Sequence, residues 1–182
     1  MQKTIDGLII RPWQTADAEN LYRAVDASRS ELTRWLPWCS DAYAPADASA
    51  WVEFSLRSWA ERSEFPLGVF DAHSGDVLGG TGINHLDRPN RRGALGYWVS
   101  SAHTGRGVAR RAAAVAAEFG FGELELCRIE IIVLLDNLAS HRVAAALGAR
   151  HECDARHRVQ HQGDAVTASV YSLLPGDLRT DR

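Results

Sequence analysis

Residues 100–112, SSAHTGRGVARRA, place two glycines two positions apart, immediately before an alanine-rich segment. Gly105 and Gly107 carry no side chain, so a ligand can approach the backbone closely at these positions. A helix that begins after them would direct its first N–H groups and the positive end of its dipole at the same ligand. The stretch therefore predicts a loop between a strand and a helix that is suited to hold a phosphate.

Two phosphate-binding loops and a purely structural turn compete for this pattern. The P-loop needs a lysine directly after its last glycine, and Lys3 is the only lysine in the chain, so this class is excluded. The dinucleotide fingerprint needs a third glycine where Arg110 stands, and it normally follows the first strand of a domain. The spacing of the glycines alone leaves open whether the turn binds a ligand or only joins two elements.

Hydrophobic periodicity on both sides of the loop predicts a single mixed α/β domain. On the N-terminal side, a strand at 7–12 precedes three helices, and a meander of three strands leads into the loop. The predicted helices are 15–27, a short one within 30–40, and 47–62, and the strands are 66–70, 77–84 and 94–99. On the C-terminal side we expect a helix from 108 that Gly120 and Gly122 stop, a strand at 128–134, a helix at 137–146, and strands at 149–159 and 166–173.

Length and composition fit one domain that covers residues 1–182. The chain is 46% hydrophobic and 24% charged, and its net charge of -3 gives no support for nucleic-acid or membrane binding. No apolar run reaches the ~20 residues of a membrane span, and the N-terminus lacks the apolar core of a secretion signal. The cysteines Cys39, Cys127 and Cys153 form no CxxC pair. We therefore expect a cytoplasmic protein that uses no metal.

Two longer segments together resemble a known family. GYWVSSAHTGRGVARRAAAVAAEFGF at 96–121 and IEIIVLLDNLASHRVAAALGA at 129–149 are similar to the coenzyme-A-binding half of the GNAT acyltransferase superfamily. The similarity is greatest to its Rim-type ribosomal-protein N-terminal acetyltransferases. The resemblance implies a mixed, mostly antiparallel central sheet flanked by helices, with a splayed strand pair at the coenzyme A site. It also implies acetyl-CoA as the cosubstrate.

The resemblance assigns the glycine loop to the pyrophosphate of acetyl-CoA, held by backbone N–H groups of about 104–109. Arg106 and Arg110 would add positive charge at the rim, and the strand before the loop would offer N–H groups to the acyl and pantetheine portions. Many relatives carry Gln or Arg where Thr104 stands, which we expect to change affinity rather than abolish the site. The expected cosubstrate-binding residues are Trp98, Val99, Ser100, Thr104, Gly105, Arg106, Gly107, Val108, Ala109, Arg110 and Asn137.

Asn137 and Ser140 form a second pair, because residues three apart lie on one face of a helix. The resemblance implies that Asn137 hydrogen-bonds the pantetheine arm and that Ser140 is the general acid, or at least a hydrogen-bond donor, for the leaving thiolate. The plain alternative is an asparagine helix cap followed by an incidental surface serine. We favour the functional interpretation because the rest of the motif is present.

The general base is the weakest part of the pattern. Rim-type enzymes can use a carboxylate on the penultimate strand, where this chain has Val159. The other candidates are His85, Asp87, His157 and His161. We rank His85 first because it lies near the end of a strand beside the GYW strand, and the ordinary histidine pKa of ~6.5 suits proton acceptance. A base relayed through solvent fits equally well.

These observations predict N-acetylation of a primary amine, with a protein N-terminal α-amine as the favoured acceptor. A small-molecule amine, such as an antibiotic, is the main alternative among enzymes, and a noncatalytic acyl-CoA-binding module is the alternative from another class. Trp35, Trp38, Trp51 and Trp59 concentrate in the N-terminal helices, where the acceptor pocket is expected. Aromatic residues at helical spacing also fit a core or a homodimer contact.

Overall fold

Eight strands form one mixed sheet in the computed structural model, which describes residues 1–179. The strands are β1 (Lys3–Ile5), β2 (Leu8–Pro12), β3 (Phe65–Asp71), β4 (Val77–Asp87), β5 (Arg92–Val99), β6 (Arg128–Leu134), β7 (Arg150–His161) and β8 (Asp164–Leu173). Their order is β1-β2-β3-β4-β5-β6-β8-β7, and only the β5–β6 pair is parallel. The predicted fold class is confirmed.

Helices cover both faces of this sheet. The α-helices of residues 1–179 are α1 (Ala18–Asp26), α2 (Arg29–Trp35), α3 (Pro45–Glu61), α4 (Val108–Gly122) and α5 (Leu138–Leu147). Neighbouring strand residues such as Val69 and Phe70 belong to different apolar clusters. Because successive side chains point to opposite faces of a strand, the clusters lie on opposite faces of the sheet. One contains residues of α4 and α5, and the other contains residues of α1, α2 and α3.

Two details differ from the sequence-based expectation. The predicted first strand is the second arm of a hairpin, which turns at Asp6 and Gly7 with φ of 45° and 76°. An Asp-Gly pair between apolar residues is typical of a hairpin turn, so the β1–β2 hairpin was predictable from the sequence. The prediction that Gly120 stops the helix was wrong, because α4 continues through it. A Cβ at Gly120 would lie 2.9 Å from Ile129 Cδ1, so this glycine permits close packing of helix on sheet.

The parallel pair β5–β6 is short, and this opens the sheet. Its register joins Arg92 to Arg128, Gly93 to Ile129 and Ala94 to Glu130, and no pairing continues beyond these three residue pairs. The rest of β5, up to Val99, faces a gap, and the chain then enters a short 3-10 turn at Ser101–His103 and the glycine loop. The strand pair therefore splays as predicted. Within residues 1–179, no helix has the length and apolar composition that a membrane span requires.

Candidate active site

The glycine loop, residues 104–107, joins the 3-10 turn to α4 and leaves open space in front of its backbone. Gly105 and Gly107 have φ of 74° and 72°, in the left-handed region that favours glycine. Within residues 1–179, no neighbouring atom lies within 4 Å of the position that a Cβ at Gly105 would take. For Gly107, the one neighbouring atom within 4 Å of the Cβ position is Arg111 Nε, at 3.9 Å. The backbone conformation therefore favours glycine at both positions, and no atom of residues 1–179 fills the space beside them.

The start of α4 presents N–H groups to the same space. Its first intrahelical hydrogen bond runs from Arg111 N to Gly107 O, at 3.1 Å, so the N–H groups of Val108 and Ala109 have no carbonyl acceptor within the helix. The Arg111 guanidinium also donates to Arg106 O at 2.9 Å and to Asp6 O at 3.2 Å. It therefore ties the loop to the β1–β2 turn through carbonyl groups, which leaves the loop N–H groups for a ligand.

A groove of about 340 Å³ runs between this loop, β5 and α5. Nine of the eleven expected cosubstrate-binding residues line it, namely Trp98, Val99, Thr104, Gly105, Gly107, Val108, Ala109, Arg110 and Asn137. Arg142 lines it too, and within residues 1–179 the two arginines outnumber the one lining carboxylate, Glu31, so the groove carries positive charge. The groove therefore suits an elongated ligand with phosphate groups, and acetyl-CoA is such a ligand.

Ser100 and Arg106 do not line the groove, contrary to the expectation from the resemblance. Ser100 is buried, and its N–H donates to Leu78 O at 2.8 Å. Because backbone groups alternate along an antiparallel strand, the N–H of Trp98 also points towards β4, whereas that of Val99 points into the gap. Val99 is therefore the backbone donor at the end of β5 that a ligand in the gap can use. Arg106 contributes its backbone, with its carbonyl held by Arg111.

Asn137 and Ser140 stand together at the start of α5, as their spacing predicts. Asn137 Oδ1 accepts a hydrogen bond from Ser140 N at 3.0 Å, so the asparagine does cap the helix. The cap fixes the side-chain amide and leaves its NH₂ group as a donor towards the groove. The capping role and the proposed ligand-binding role are therefore compatible.

Tyr97 is the residue of this site that the sequence analysis did not single out. Its Oη lies 3.0 Å from Ser140 Oγ and donates to Ser140 O at 3.1 Å, linking β5 to α5 across the gap. Burial raises the pKa of Tyr97 to about 12, although the hydrogen bond between its hydroxyl and the Ser140 hydroxyl opposes this shift. Tyr97 is therefore a protonated phenol at neutral pH. The GYW sequence was its only local signal, because Ser140 lies 43 positions away.

A second cavity, of about 440 Å³, lies on the other side of Tyr97 and Trp98, which also line the groove. Gly80, Gly82 and Gly96 of β4 and β5 are among its lining residues. A Cβ at Gly80 would lie 2.6 Å from Trp98 Nε1, so this glycine lets the Trp98 ring pack closely on β4. Aromatic residues form much of its wall, namely Trp13, Trp38, Tyr43, Trp51 and Phe54. The charged lining residues are Asp47 and Glu64, and no Lys, Arg or His of residues 1–179 is among them.

The four tryptophans of the N-terminal helices divide between these features. Trp38 and Trp51 line the second cavity and are 46% and 42% exposed, so they stand at its mouth. Trp35 lines the groove. Trp59 packs edge-to-face on Phe65 and donates from Nε1 to Pro66 O at 2.7 Å, which makes it part of the core.

The expected base His85 lies outside both cavities. It is exposed at a bulge of β4 with a φ of 48°, whereas its neighbours Ile83 and Asn84 line the second cavity. The bulge and the alternation of the strand turn the His85 side chain away from the second cavity. The candidates Asp87, His157 and His161 do not line either cavity.

Comparison with known proteins agrees with this geometry. The family described as Acetyltransferase (GNAT) domain matches residues 7–150. YdaF of Bacillus subtilis (strain 168), named a candidate ribosomal N-acetyltransferase, is 27% identical over 175 residues, which are 94% of this chain and 93% of that protein.

Two solved structures share the fold. The ribosomal-protein-S5-alanine acetyltransferase of Vibrio fischeri has a TM-score of 0.88 at 23% identity, covering 99% of this chain and 100% of its own. The microcin C7 self-immunity acetyltransferase MccE, solved with acetyl-CoA and AMP, has a TM-score of 0.86 at 19% identity, and 93% of each chain is covered. The family match extends over most of the chain, and with it the noncatalytic alternative is set aside. The chain belongs to the GNAT acetyltransferase family and is an acetyl-CoA-dependent N-acetyltransferase.

Proposed function

We propose that the protein acetylates a protein N-terminal α-amine, with acetyl-CoA in the groove and the acceptor in the second cavity. The observation that carries this proposal is the meeting of the two cavities at Tyr97 and Trp98, beside Ser140. An amine on one side and a thioester on the other could come into contact only at such a junction. The acetyl donor supplies an activated acyl group as its thioester.

Each residue at the junction has a distinct role in this proposal. Loop N–H groups from Gly105 to Ala109 hold the pyrophosphate, and the NH₂ group of Asn137 binds the pantetheine arm. The N–H of Val99 stabilises negative charge on the acyl oxygen, as a preorganised backbone donor does in other acyl transfers. The neutral amine attacks the acyl carbon and loses its proton to solvent. The new carbon–nitrogen bond replaces the carbon–sulfur bond, and the Ser140 hydroxyl is the proton donor for the departing sulfur.

Tyr97 acts through Ser140 in this scheme. Because its pKa of about 12 keeps the phenol protonated at neutral pH, its O–H can donate continuously to the Ser140 carbonyl. That contact holds the first turn of α5 against β5, with the serine hydroxyl at the end of the groove. Tyr97 is a positioning residue, and Ser140 is the residue that meets the reacting atoms.

The identity of the acceptor rests on the relatives and on the shape of the cavity. YdaF carries a name that refers to ribosomal N-acetylation. A cavity with an open mouth at Trp38 and Trp51 leaves room for a chain to continue beyond the reacting amine. The proposal places the enzyme in the cytoplasm, where ribosomal proteins are made.

The test is acetylation of a panel of acceptors, followed by release of free thiol from acetyl-CoA and by mass spectrometry. The panel contains peptides with the N-terminal sequences of ribosomal proteins, the same peptides with blocked α-amines, and small amines, including aminoglycosides. We expect acetyl addition at the α-amine of open peptides and none on the blocked ones. Faster turnover of the small amines than of every peptide would refute the protein-acceptor proposal.

A further inference from the structure

Glu64 is a carboxylate without a partner at the edge of the second cavity. It is partly buried, lines that cavity and makes no hydrogen bond or ion pair with any residue of the described chain 1–179. Two arginines near this part of the chain make other contacts. The Arg62 guanidinium lies over the Phe65 ring, with Cζ 5.8 Å from the ring centroid, and Arg88 donates to the Arg62 carbonyl.

The backbone around Glu64 is firmly held. Arg62 ends α3 in the left-handed conformation, with φ of 55°, and Ser63 N donates to Ser58 O at 3.0 Å. Phe65 is 1% exposed and packs against Trp59 and Phe119. Glu64 directly precedes β3, and it lines the cavity whereas the buried Phe65 does not.

Asp47, the other carboxylate of the cavity, is already engaged. Its Oδ2 accepts from Ala44 N at 2.8 Å, which caps the start of α3. The negative charge that is free to meet a ligand therefore belongs to Glu64. A charged carboxylate beside apolar walls gains most from a cationic partner that reaches it with hydrogen-bond donors.

The two cavities have opposite charge. The groove is lined by two arginines, Arg110 and Arg142, and one carboxylate, Glu31, whereas the second cavity has Asp47 and Glu64 and no basic lining residue within 1–179. An acceptor that carries a carboxylate or a phosphate next to its amine would bring that anion into a negatively charged, aromatic cavity. Such an anion would lose water and find no cation there, which disfavours its binding.

We infer that Glu64 recognises the ammonium form of the acceptor amine, so that the cavity accepts amines with a neutral, apolar neighbourhood and rejects amines with an adjacent anion. This inference rests on the proposed function and names the charge class of its acceptor. Peptide N-termini followed by neutral residues belong to the accepted class. Free amino acids and aminoacyl nucleotides belong to the rejected class, although both present a primary amine.

The test uses two acceptors that differ in one group, phenylalanine amide and free phenylalanine. The variant is Glu64→Gln, which keeps the shape of the side chain and removes its charge. The matched control is Glu61→Gln, at the exposed end of α3 and outside the lining of both cavities. For each protein we would measure kcat and KM for both acceptors by thiol release, together with the KM for acetyl-CoA.

We expect the wild-type protein and Glu61→Gln to prefer the amide over the free acid. In Glu64→Gln, kcat/KM for the amide should fall by about 10- to 100-fold, the range for loss of a hydrogen bond to a charged group. The fall should appear mainly in the KM of the acceptor, and the KM for acetyl-CoA should not change. Equal kcat/KM values for the amide in Glu64→Gln and wild type, or a wild-type preference for free phenylalanine, would overturn the inference.

A binding titration separates this inference from the proposed function. Phenylalanine amide is titrated at pH 6.5, below the ~7.7–8.0 pKa range of an α-amine, into protein saturated with CoA, and binding is followed by tryptophan fluorescence. Tighter binding of the amide to wild type than to Glu64→Gln would support the role of Glu64. This holds even if no amine of the panel were acetylated, since that result would refute only the proposed function. Equal binding to both proteins would refute the role of Glu64 even if peptides were acetylated.

Discussion

Replacing Gly107 with valine should abolish tight coenzyme A binding while the protein remains folded. The left-handed backbone at Gly107, with φ of 72°, costs a residue with a Cβ ~1–2 kcal/mol. The nearest atom to the new Cβ is Arg111 Nε at 3.9 Å, so no clash within the protein adds to this cost. For a chain of this size we expect the unfolding midpoint to fall by ~2–4 °C for each kcal/mol.

The effect on binding should be much larger than the effect on stability. The valine methyl groups would occupy the space in front of the loop N–H groups, where the pyrophosphate is proposed to lie. Loss of two backbone hydrogen bonds to a charged phosphate, at ~1.5–3 kcal/mol each, removes ~3–6 kcal/mol of binding free energy. The Kd for CoA should therefore rise by at least about 100-fold.

Gly75 provides a matched control for the backbone strain. It has φ of 77°, it lies in the turn between β3 and β4, and no atom is within 4 Å of its Cβ position. Gly75→Val should lower the unfolding midpoint as Gly107→Val does and leave the Kd for CoA unchanged. Titration calorimetry and thermal unfolding measure both quantities. If both variants bound CoA with the wild-type Kd, the glycine loop would not be the pyrophosphate site.

Three further variants test other parts of the site and the fold. Ser140→Ala should lower kcat by roughly 30- to 1000-fold, which corresponds to a loss of ~2–4 kcal/mol of transition-state stabilisation. The Kd for CoA should not change. A variant with the wild-type kcat would remove Ser140 from the mechanism. His85→Gln should leave the pH profile of kcat/KM unchanged, and loss of one limb of that profile would restore His85 as the base. Arg128 holds the pKa of Glu152 at about 2, below its ordinary 4.5, so this pair stabilises the fold above pH 4.5 and the stabilisation is lost as the pH falls towards 2. Glu152→Gln should lower the unfolding midpoint at pH 7 by the equivalent of ~1 kcal/mol or less, since the pair is partly exposed, and a difference that persisted at pH 2 would contradict the ion pair.

Features fixed by neighbouring residues were predictable from the sequence. The glycines at 105 and 107, the apolar stripe of α4 and the asparagine cap of α5 depend on residues within one or two turns of each other. The turn between β7 and β8 depends on neighbouring residues in the same way, because Gln162 and Gly163 supply the positive φ values that it needs. Such local rules also located most of the groove, since β5, the loop and α4 follow one another along the chain.

Features that depend on distant residues were not predictable. Tyr97 meets Ser140 only because β5 and α5 converge at the splayed strands, and Arg111 reaches Asp6 across 105 positions. Glu64 has no motif of its own, and its meaning depends on a cavity built by α3, β3, β4 and β5. His85 illustrates the opposite error. A histidine near the end of a strand looked suitable for a base, but a bulge, which periodicity does not reveal, turned it outward.

The short β5–β6 pairing also makes the sheet mechanically uneven. Three residue pairs hold the five strands from β1 to β5 to the three strands β6, β8 and β7, whereas ladders such as β6–β8 extend over six pairs. A ligand in the gap would contact both β5 and β6, and we expect the sheet to become less mobile there when the ligand binds. Amide exchange at Tyr97 and Val99, whose N–H groups face the gap, should then slow as CoA is added, and the unfolding temperature should rise with its concentration. The cosubstrate would then connect β5 and β6 where the two strands do not pair, in addition to donating the acetyl group.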